Sequence, residues 1–252
     1  MRDKRLVAAS FSRAATRYDQ VASLQRRIAD RLRLWLPDGA YATVLDLGCG
    51  TAYANPWLSP LADRLINLDL AEGMLRFSRE RGAQGYFVGG DAESLPLRDE
   101  SVDLIWSSLA LQWSEAPDAL MRELERVLRP NGRLMISTLG PKTLHELRAS
   151  WGSVDQHQHV NQFYSPTTWL EVDTSLALVR HQQTIETEHY QEVSHLLREL
   201  RTLGAHNVNP ERRKGLGGQS ALRAMMQFYE GYRTPVGLPA SYEVHYLEFI
   251  RR

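Results

Sequence analysis

An apolar run ends at Asp46, and Gly48 and Gly50 follow it before the pattern turns helical. A strand that delivers Gly-x-Gly to a helix leaves backbone N–H groups open to a ligand at the carboxyl edge of a sheet. Taken alone this is a weak signal. The dinucleotide fingerprint needs another glycine three residues after the second, and Tyr53 occupies that position, which weighs against a nicotinamide or flavin cofactor. Ala52 stands where a third glycine of such a loop is expected. A methyl there is nearly free if φ is negative and costs on the order of 1 kcal/mol if φ is positive. His157 and His159, two apart in "HQHVN", are read as a solvated loop pair, and no metal is expected.

The elements that hold such a loop are legible in the periodicity. Phe11, Ala14, Ala15, Tyr18, Val21, Ala22, Gln25, Ile28 and Leu32 fall three or four apart, so an amphipathic helix is expected from about Ser12 to Trp35, closed by Pro37. Short apolar runs follow: "TVLDL", "RLINLD", "YFVGGD", "VDLIWSS" and "GRLMISTL", separated by helical patterns. That alternation implies an α/β, doubly wound and mostly parallel sheet. "PNG" at Pro130 to Gly132 reads as a turn entering a strand at Arg133. Beyond Leu139 come a helix, a polar loop, a helix starting at Ser165, a strand "LALVRHQQTIET", a helix stopped by Gly204 and a last strand "EVHYLEFI".

Composition narrows the function classes. Thirty basic and thirty acidic side chains balance within 252 residues, so the strongly positive footprint of a nucleic-acid binder is missing. No apolar stretch approaches the ~20 residues that span a bilayer, and Met1 to Ser10 lacks the apolar core of a secretory signal. A cytoplasmic protein without a membrane partner is expected. The one cysteine, Cys49, excludes an internal disulfide framework and fits a reducing compartment.

The motifs "VLDLGCGTAY", "LDLAEGML", "GDAESLPL" and "SVDLIWSSLALQW", in this order and spacing, resemble those of the class I S-adenosylmethionine-dependent methyltransferases across about Val44 to Leu139. The resemblance implies a Rossmann-like fold: a seven-stranded, mostly parallel sheet with an antiparallel last strand, an N-terminal helix and a helical lid. It implies that Asp46, Gly48 and Gly50 hold the methionine end of S-adenosylmethionine, Asp69 the ribose hydroxyls, Met74 one face of the adenine, and Asp91 and Ala92 its amino edge. Asp69 sits about where dinucleotide folds place the acidic residue that accepts from ribose, roughly 20 residues past the glycine loop. It also reads as a helix N-cap with Glu72 in a capping box. Family members usually carry glycine at Ala52, so this chain departs from the pattern there. A single domain over residues 1–252 is expected: an N-terminal helical segment (1–40), a cofactor-binding core (41–139), a lid with the remaining sheet elements (140–238) and the final strand (239–252).

Some acceptors are set aside. Methylation of an exocyclic base nitrogen usually goes with an Asn/Asp-Pro-Pro-aromatic stretch, and this chain has "SSLALQW" there. Cytosine C5 methylation needs a thiolate, but Cys49 lies inside the glycine loop. The segments "FSRAATRYDQVASLQRRIADRL", "STLGPKTLHELRASWGSVDQHQHVNQF" and "LLRELRTLGAHNVN" resemble the malonyl-[acyl-carrier protein] O-methyltransferases of biotin synthesis, nearly end to end. That implies methylation of the free carboxylate of a malonyl thioester, carried by acyl-carrier protein or coenzyme A. A carboxylate, with a pKa of about 4, is already ionised at pH 7 and needs no general base. Candidates for positioning it are Tyr18, Gln112, Trp113, Arg148 and Tyr164, and the basic clusters Arg26, Arg27, Arg31 and Arg212, Arg213, Lys214 suit an acidic carrier. Another small carboxylate, a quinone phenol, or a non-catalytic protein that keeps the fold remain alternatives.

Overall fold

A computed structural model describes residues 3–204 and 217–252 of the chain. The apolar runs form strands β1 (Tyr41–Leu47), β2 (Ala62–Asp69), β3 (Tyr86–Gly89), β4 (Val102–Ser108), β5 (Leu128–Leu139), β6 (Leu176–Tyr190) and β7 (Leu238–Arg251). They make one seven-stranded sheet in the order β3-β2-β1-β4-β5-β7-β6. β1 to β5 pair in parallel, whereas β7 runs antiparallel to both β5 and β6. The chain winds outward from β1 in one direction and from β4 in the other. Their carboxyl ends therefore face a crevice at the switch point, where open α/β sheets take ligands.

Helices cover both faces of the sheet: α1 (Lys4–Val21), α2 (Ser23–Arg33), α3 (Asn55–Leu58), α4 (Glu72–Glu80), α5 (Pro117–Val127), α6 (His145–Gly152), α7 (Pro166–Leu170), α8 (Val193–Thr202) and α9 (Gly217–Tyr229). The alternation of strand side chains divides the core in two. Trp106, Met135, Val244 and Tyr246 pack with Leu24, Ile28 and Leu32 of α2 on one face. Ile105, Leu134, Leu247 and Phe249 pack with Leu120 and Leu124 of α5 on the other. No helix among the described residues is long and apolar enough to cross a membrane.

Three local readings are corrected. The single N-terminal helix expected from Ser12 is two helices, the first starting at Lys4, with a break at Ala22 (φ −87°, ψ 33°). Beside the break, Arg26 Nη2 donates to the Asp19 carbonyl at 2.6 Å. "PNG" does not precede β5 but lies within it as a bulge: Val102 pairs with Leu128 while Leu104 pairs with Arg133, and Asn131 takes φ 65°. Asp69 is not the cap of α4, which starts at Glu72 behind Ala71 with no side-chain cap.

The break lets the two halves of the N-terminal segment do different work. α2 is built into the main core, and α1 lies across α4 through a small separate cluster of Ala15, Ala71 and Met74. Close approach depends on Gly73, whose N–H donates to Ser12 Oγ at 3.1 Å. A Cβ on Gly73 would stand 2.6 Å from the Ser12 carbonyl oxygen. Gly73→Ala is therefore expected to push α1 off α4 and destabilise the protein by about 1–3 kcal/mol. Thermal unfolding checks this, and an unchanged Tm would show that the two helices adjust freely.

Candidate functional site

Two adjoining clefts open at the carboxyl ends of β1, β2 and β4. The larger, about 910 Å³ including its open side, lies under α1 and is lined by Phe11, Asp69, Met74, Asp91, Ala92 and Trp113 among others. The smaller, about 540 Å³ on the same measure, lies between α2 and the glycine loop and is lined by Gln25, Arg26, Asp46, Cys49 and Trp106 among others. Tyr18, Gly48, Gly50, Ser108 and Leu109 line both.

The loop is shaped by its backbone. Gly48 takes φ 70°, and a Cβ there would lie 2.2 Å from the Ala110 Cβ, so the chain after β4 closes directly onto this glycine. Leu109, at the start of that chain, also has positive φ, 54°. Its N–H is anchored on the Ser137 carbonyl at 2.9 Å, and the Ser108 hydroxyl shares a 2.9 Å hydrogen bond with Ser137. Ala52 has φ 57°, so its methyl sits in the left-handed region. That is the strained case of the two considered for this position.

Asp69 joins the loop to the exit of β2. Its Oδ2 accepts from Gly50 N–H at 2.9 Å and its Oδ1 from Ala71 N–H at 2.7 Å. Burial pushes its carboxyl up, and these N–H groups work against that shift. Asp46 is 2% exposed, and its Oδ2 has no hydrogen-bond partner among the described residues. Burial, with the nearby Asp69 charge second, pushes the Asp46 carboxyl up to about 8. A buried acceptor left open on a cleft wall suits a ligand that brings its own donor.

Across the larger cleft, Asp91 is gripped from above. Lys4 Nζ donates to its Oδ2 at 2.7 Å and also meets Glu93 Oε2 at 2.5 Å. Burial works against the Lys4 ammonium, but the hydrogen bonds to Asp91 and Glu93 prevail and raise its pKa. Phe11 meets the Trp113 ring edge-on at 5.3 Å, closing the same roof. The spacing of the N-terminal helix marks Phe11 as apolar, but nothing local shows that it faces a ligand cleft. Lys4 lies before the expected helix start.

The positioning candidates separate. Tyr18 lines both clefts, and burial pushes its phenol well above the usual range. Trp113 lines the larger one. Gln112 is buried beside it, donating to the Leu109 carbonyl at 2.7 Å. Arg148 and Tyr164 line neither cleft. The Arg148 guanidinium donates to the carbonyls of Pro141 and Thr143, and the Tyr164 hydroxyl reaches the Glu115 carbonyl at 3.4 Å while its ring packs on Trp169. His159 pairs with Asp155 at 2.8 Å and stacks on Trp151. Among the described residues no group of three metal-ligating side chains converges. The cluster on α2 divides: Arg27 and Arg31 pair with Glu188 and Glu186 of β6, whereas Arg26 turns to the smaller cleft. Arg212, Arg213 and Lys214 lie outside the described residues.

A family model described as a methyltransferase domain matches residues 45–136. Among solved structures, the YcgJ protein from Bacillus subtilis is similar with a TM-score of 0.65 at 20% identity, covering 90% of this chain and 99% of that one, a likeness that shows the fold. The malonyl-[acyl-carrier protein] O-methyltransferase of Dechloromonas aromatica is 42% identical over 97% of this chain and 93% of that relative. The chain belongs to the malonyl-[acyl-carrier protein] O-methyltransferase family. The biotin biosynthesis bifunctional protein BioHC of Cellvibrio japonicus is 45% identical, again over 97% of this chain but 50% of that relative. The chain spans about half the length of the bifunctional family members it matches.

The loop of this family member carries one strained residue and one buried acid, Ala52 and Asp46. Ala52→Gly removes a left-handed alanine and is expected to stabilise the protein by about 1 kcal/mol, a Tm gain of roughly 2–4 °C. A loss of stability would mean that the buried methyl outweighs the strain. For Asp46 the effect depends on pH. With its pKa raised from 3.8 to about 8, the folded chain keeps a proton that the unfolded chain has released. Stability therefore falls as pH rises between those values and stays reduced above them. Asp46→Asn escapes this loss, so its Tm relative to the parent protein should climb between about pH 5 and pH 9, without ligand, by roughly 2–4 °C per kcal/mol. A difference independent of pH would place the Asp46 titration in the ordinary carboxylate range.

Proposed function

We propose that this chain transfers the methyl group of S-adenosylmethionine to the free carboxylate of a malonyl thioester carried by acyl-carrier protein, giving the methyl ester. When bound, S-adenosylmethionine supplies a methyl group on a sulfonium. The residues fit that cofactor: Asp69 and Asp91 offer carboxylates in the larger cleft, Met74 and Ala92 an apolar wall between them, and Asp46 an unpartnered buried oxygen in the smaller one. In this reading Asp69 accepts from the ribose hydroxyls, Asp91 and Ala92 meet the adenine edge, and the Gly48–Gly50 backbone with Asp46 holds the amino-acid end.

The observation that carries the acceptor is the character of the wall common to both clefts. It consists of Tyr18, Gly48, Gly50, Ser108 and Leu109. Its one phenol is held protonated by burial. Such a wall offers no base at neutral pH and suits an acceptor that arrives ionised, as a carboxylate does. Rate then comes from holding the acceptor oxygen in line with the methyl and from excluding its water. Phe11, Trp113 and Leu109 supply apolar cover, and Tyr18 supplies a hydroxyl that orients the carboxylate. The buried thiol of Cys49 fits a reducing, cytoplasmic setting, and no nucleic-acid or membrane partner is assigned.

Mass spectrometry of malonyl-carrier protein incubated with the enzyme and S-adenosylmethionine tests this, with acetyl-carrier protein as control. One added methyl on the malonyl form alone is expected. Methylation of neither, with cofactor binding established separately, would overturn the acceptor and leave the family fold standing.

A further inference from the structure

The two edges of the sheet are built differently. β3 ends it on one side with four residues, a length that offers little backbone to another chain. β6 ends it on the other with 15 residues, bonded to β7 on its inner side alone. Its bulge falls at Val179, near the start, so residues 180–190 run in unbroken register. Among the described residues no other backbone segment pairs with that stretch. Long edges are usually protected by proline, lysine or charges turned across them, and "RHQQTIETEHY" contains no proline, glycine or lysine. Its three permanent charges, Arg180, Glu186 and Glu188, share the even positions and therefore one face. There the Arg180 guanidinium lies 4.6 Å from the Trp35 ring centre, and the two glutamates meet Arg31 and Arg27 of α2. On the opposite face Ile185 is 52% exposed.

An open edge accepts an extended strand, and the order of charges along β6 selects its own copy. From the amino end the cation comes first and the two carboxylates last. Antiparallel pairing about a twofold axis at Thr184 therefore sets Arg180 of one copy opposite Glu188 of the other and diagonal to Glu186, twice over. An axis perpendicular to the sheet keeps the even positions of both copies on one face, so these charges meet. Arg180 forms no ion pair among the described residues, and the two glutamates are engaged through Oε1, which leaves Oε2 of each to accept. On the other face the same axis brings the two Ile185 side chains into diagonal contact, covering apolar surface that each copy exposes alone. Pairing of residues 180–188 adds about eight to ten backbone hydrogen bonds, the usual number for a specific interface. A parallel arrangement would instead set Arg180 beside Arg180. We infer that the outer edge of β6 is a self-association surface, on which two copies of this chain pair antiparallel and join their sheets into one. β5 and β7 stand between that edge and the strands that carry the clefts, so the pairing leaves both clefts outside the interface.

Sedimentation velocity of the full chain from about 1 to about 100 μM tests this. A closed dimer is expected, with twice the mass of the chain and no larger species, because a twofold pairing consumes the long edge of each copy. Arg180→Glu should weaken dimerisation by roughly tenfold or more, since the axis applies the change at two places. Ile185→Lys sets two ammonium groups across the seam and should weaken it to a similar degree, roughly tenfold. Its side chain lies on the face away from α2, so it keeps the test valid if Arg180→Glu disturbs the Trp35 contact. Both positions are exposed, and a Tm equal to the parent's is expected for Ile185→Lys. Tyr86→Lys, on the β3 edge, should leave the dimer intact. A monomer at every concentration would overturn the inference. So would a dimer indifferent to both β6 variants, which would use another face, or one lost equally in Tyr86→Lys. Species that grow beyond two with concentration would overturn the closed pairing in favour of open-ended stacking.

Discussion

The whole site depends on one carboxylate that is paired with backbone. Asp69, at the end of β2, accepts from Gly50 N–H on one oxygen and from Ala71 N–H on the other. These bonds tie the loop after β1 to the start of α4, so the floor shared by both clefts is set by a contact between adjacent parallel strands. Losing the carboxylate would leave two N–H groups without this partner, at a cost of about 1–3 kcal/mol for each that stays buried. The Gly48 carbon is fixed from the other side by Ala110, leaving no room for a side chain between the β4 exit and the loop. The floor is thus pinned from β2 and from β4, the strands that flank β1.

The roof is held less firmly. α2 inserts Leu24, Ile28 and Leu32 into the main core, but α1 is attached through the small cluster at Ala15, Ala71 and Met74 and through polar contacts: Lys4 to Asp91 and Glu93, Ser12 to Gly73, and Asp19 to Thr51 and Arg81. Local opening costs least where few buried apolar groups are lost, so α1 opens more readily than the sheet beneath it. The break at Ala22 separates these two anchorages. The larger cleft lies beneath α1, and Lys4 ties the start of that helix to Asp91 and Glu93, two of the acids lining it.

Much of this was legible in the sequence, for identifiable reasons. Strand runs buried on both faces, such as Val102–Ser108, read as continuous apolar segments and were placed well by pattern alone. The carboxylates at strand ends, Asp46 and Asp69, stand where periodicity stops, so position marks them. The break at Ala22 was not legible, because no glycine or proline signals it and the apolar spacing continues through it. The capping role offered for Asp69 matched the spacing of Glu72, but one carboxylate oxygen is taken by Gly50 N–H from the neighbouring loop and the other by Ala71 N–H, one residue ahead of the helix. Arg148 looked free for substrate because a local pattern does not show that carbonyls of Pro141 and Thr143 turn toward it. Gln25 and Arg26 were part of a helical stripe and a basic cluster, and only the packing of α2 beside the loop separates Arg26 from Arg27 and Arg31.

Ala52 shows how such a loop tolerates a residue that its backbone does not favour. Gly48, Gly50 and Ala52 all have positive φ, so the chain alternates in and out of the left-handed region as it leaves β1. That path turns Gly50 N–H onto Asp69, and it returns Ala52 N–H to the Cys49 carbonyl at 2.8 Å and Asn55 N–H to the Ala52 carbonyl at 3.1 Å. Relaxing Ala52 alone to negative φ would disturb this sequence of bonds, and buried N–H groups left open cost as much as the strain itself. The strain therefore persists because the hydrogen bonds over-determine the turn. Ala52 lines neither cleft, so the departure from glycine bears on loop stability before it bears on the groups that face a ligand.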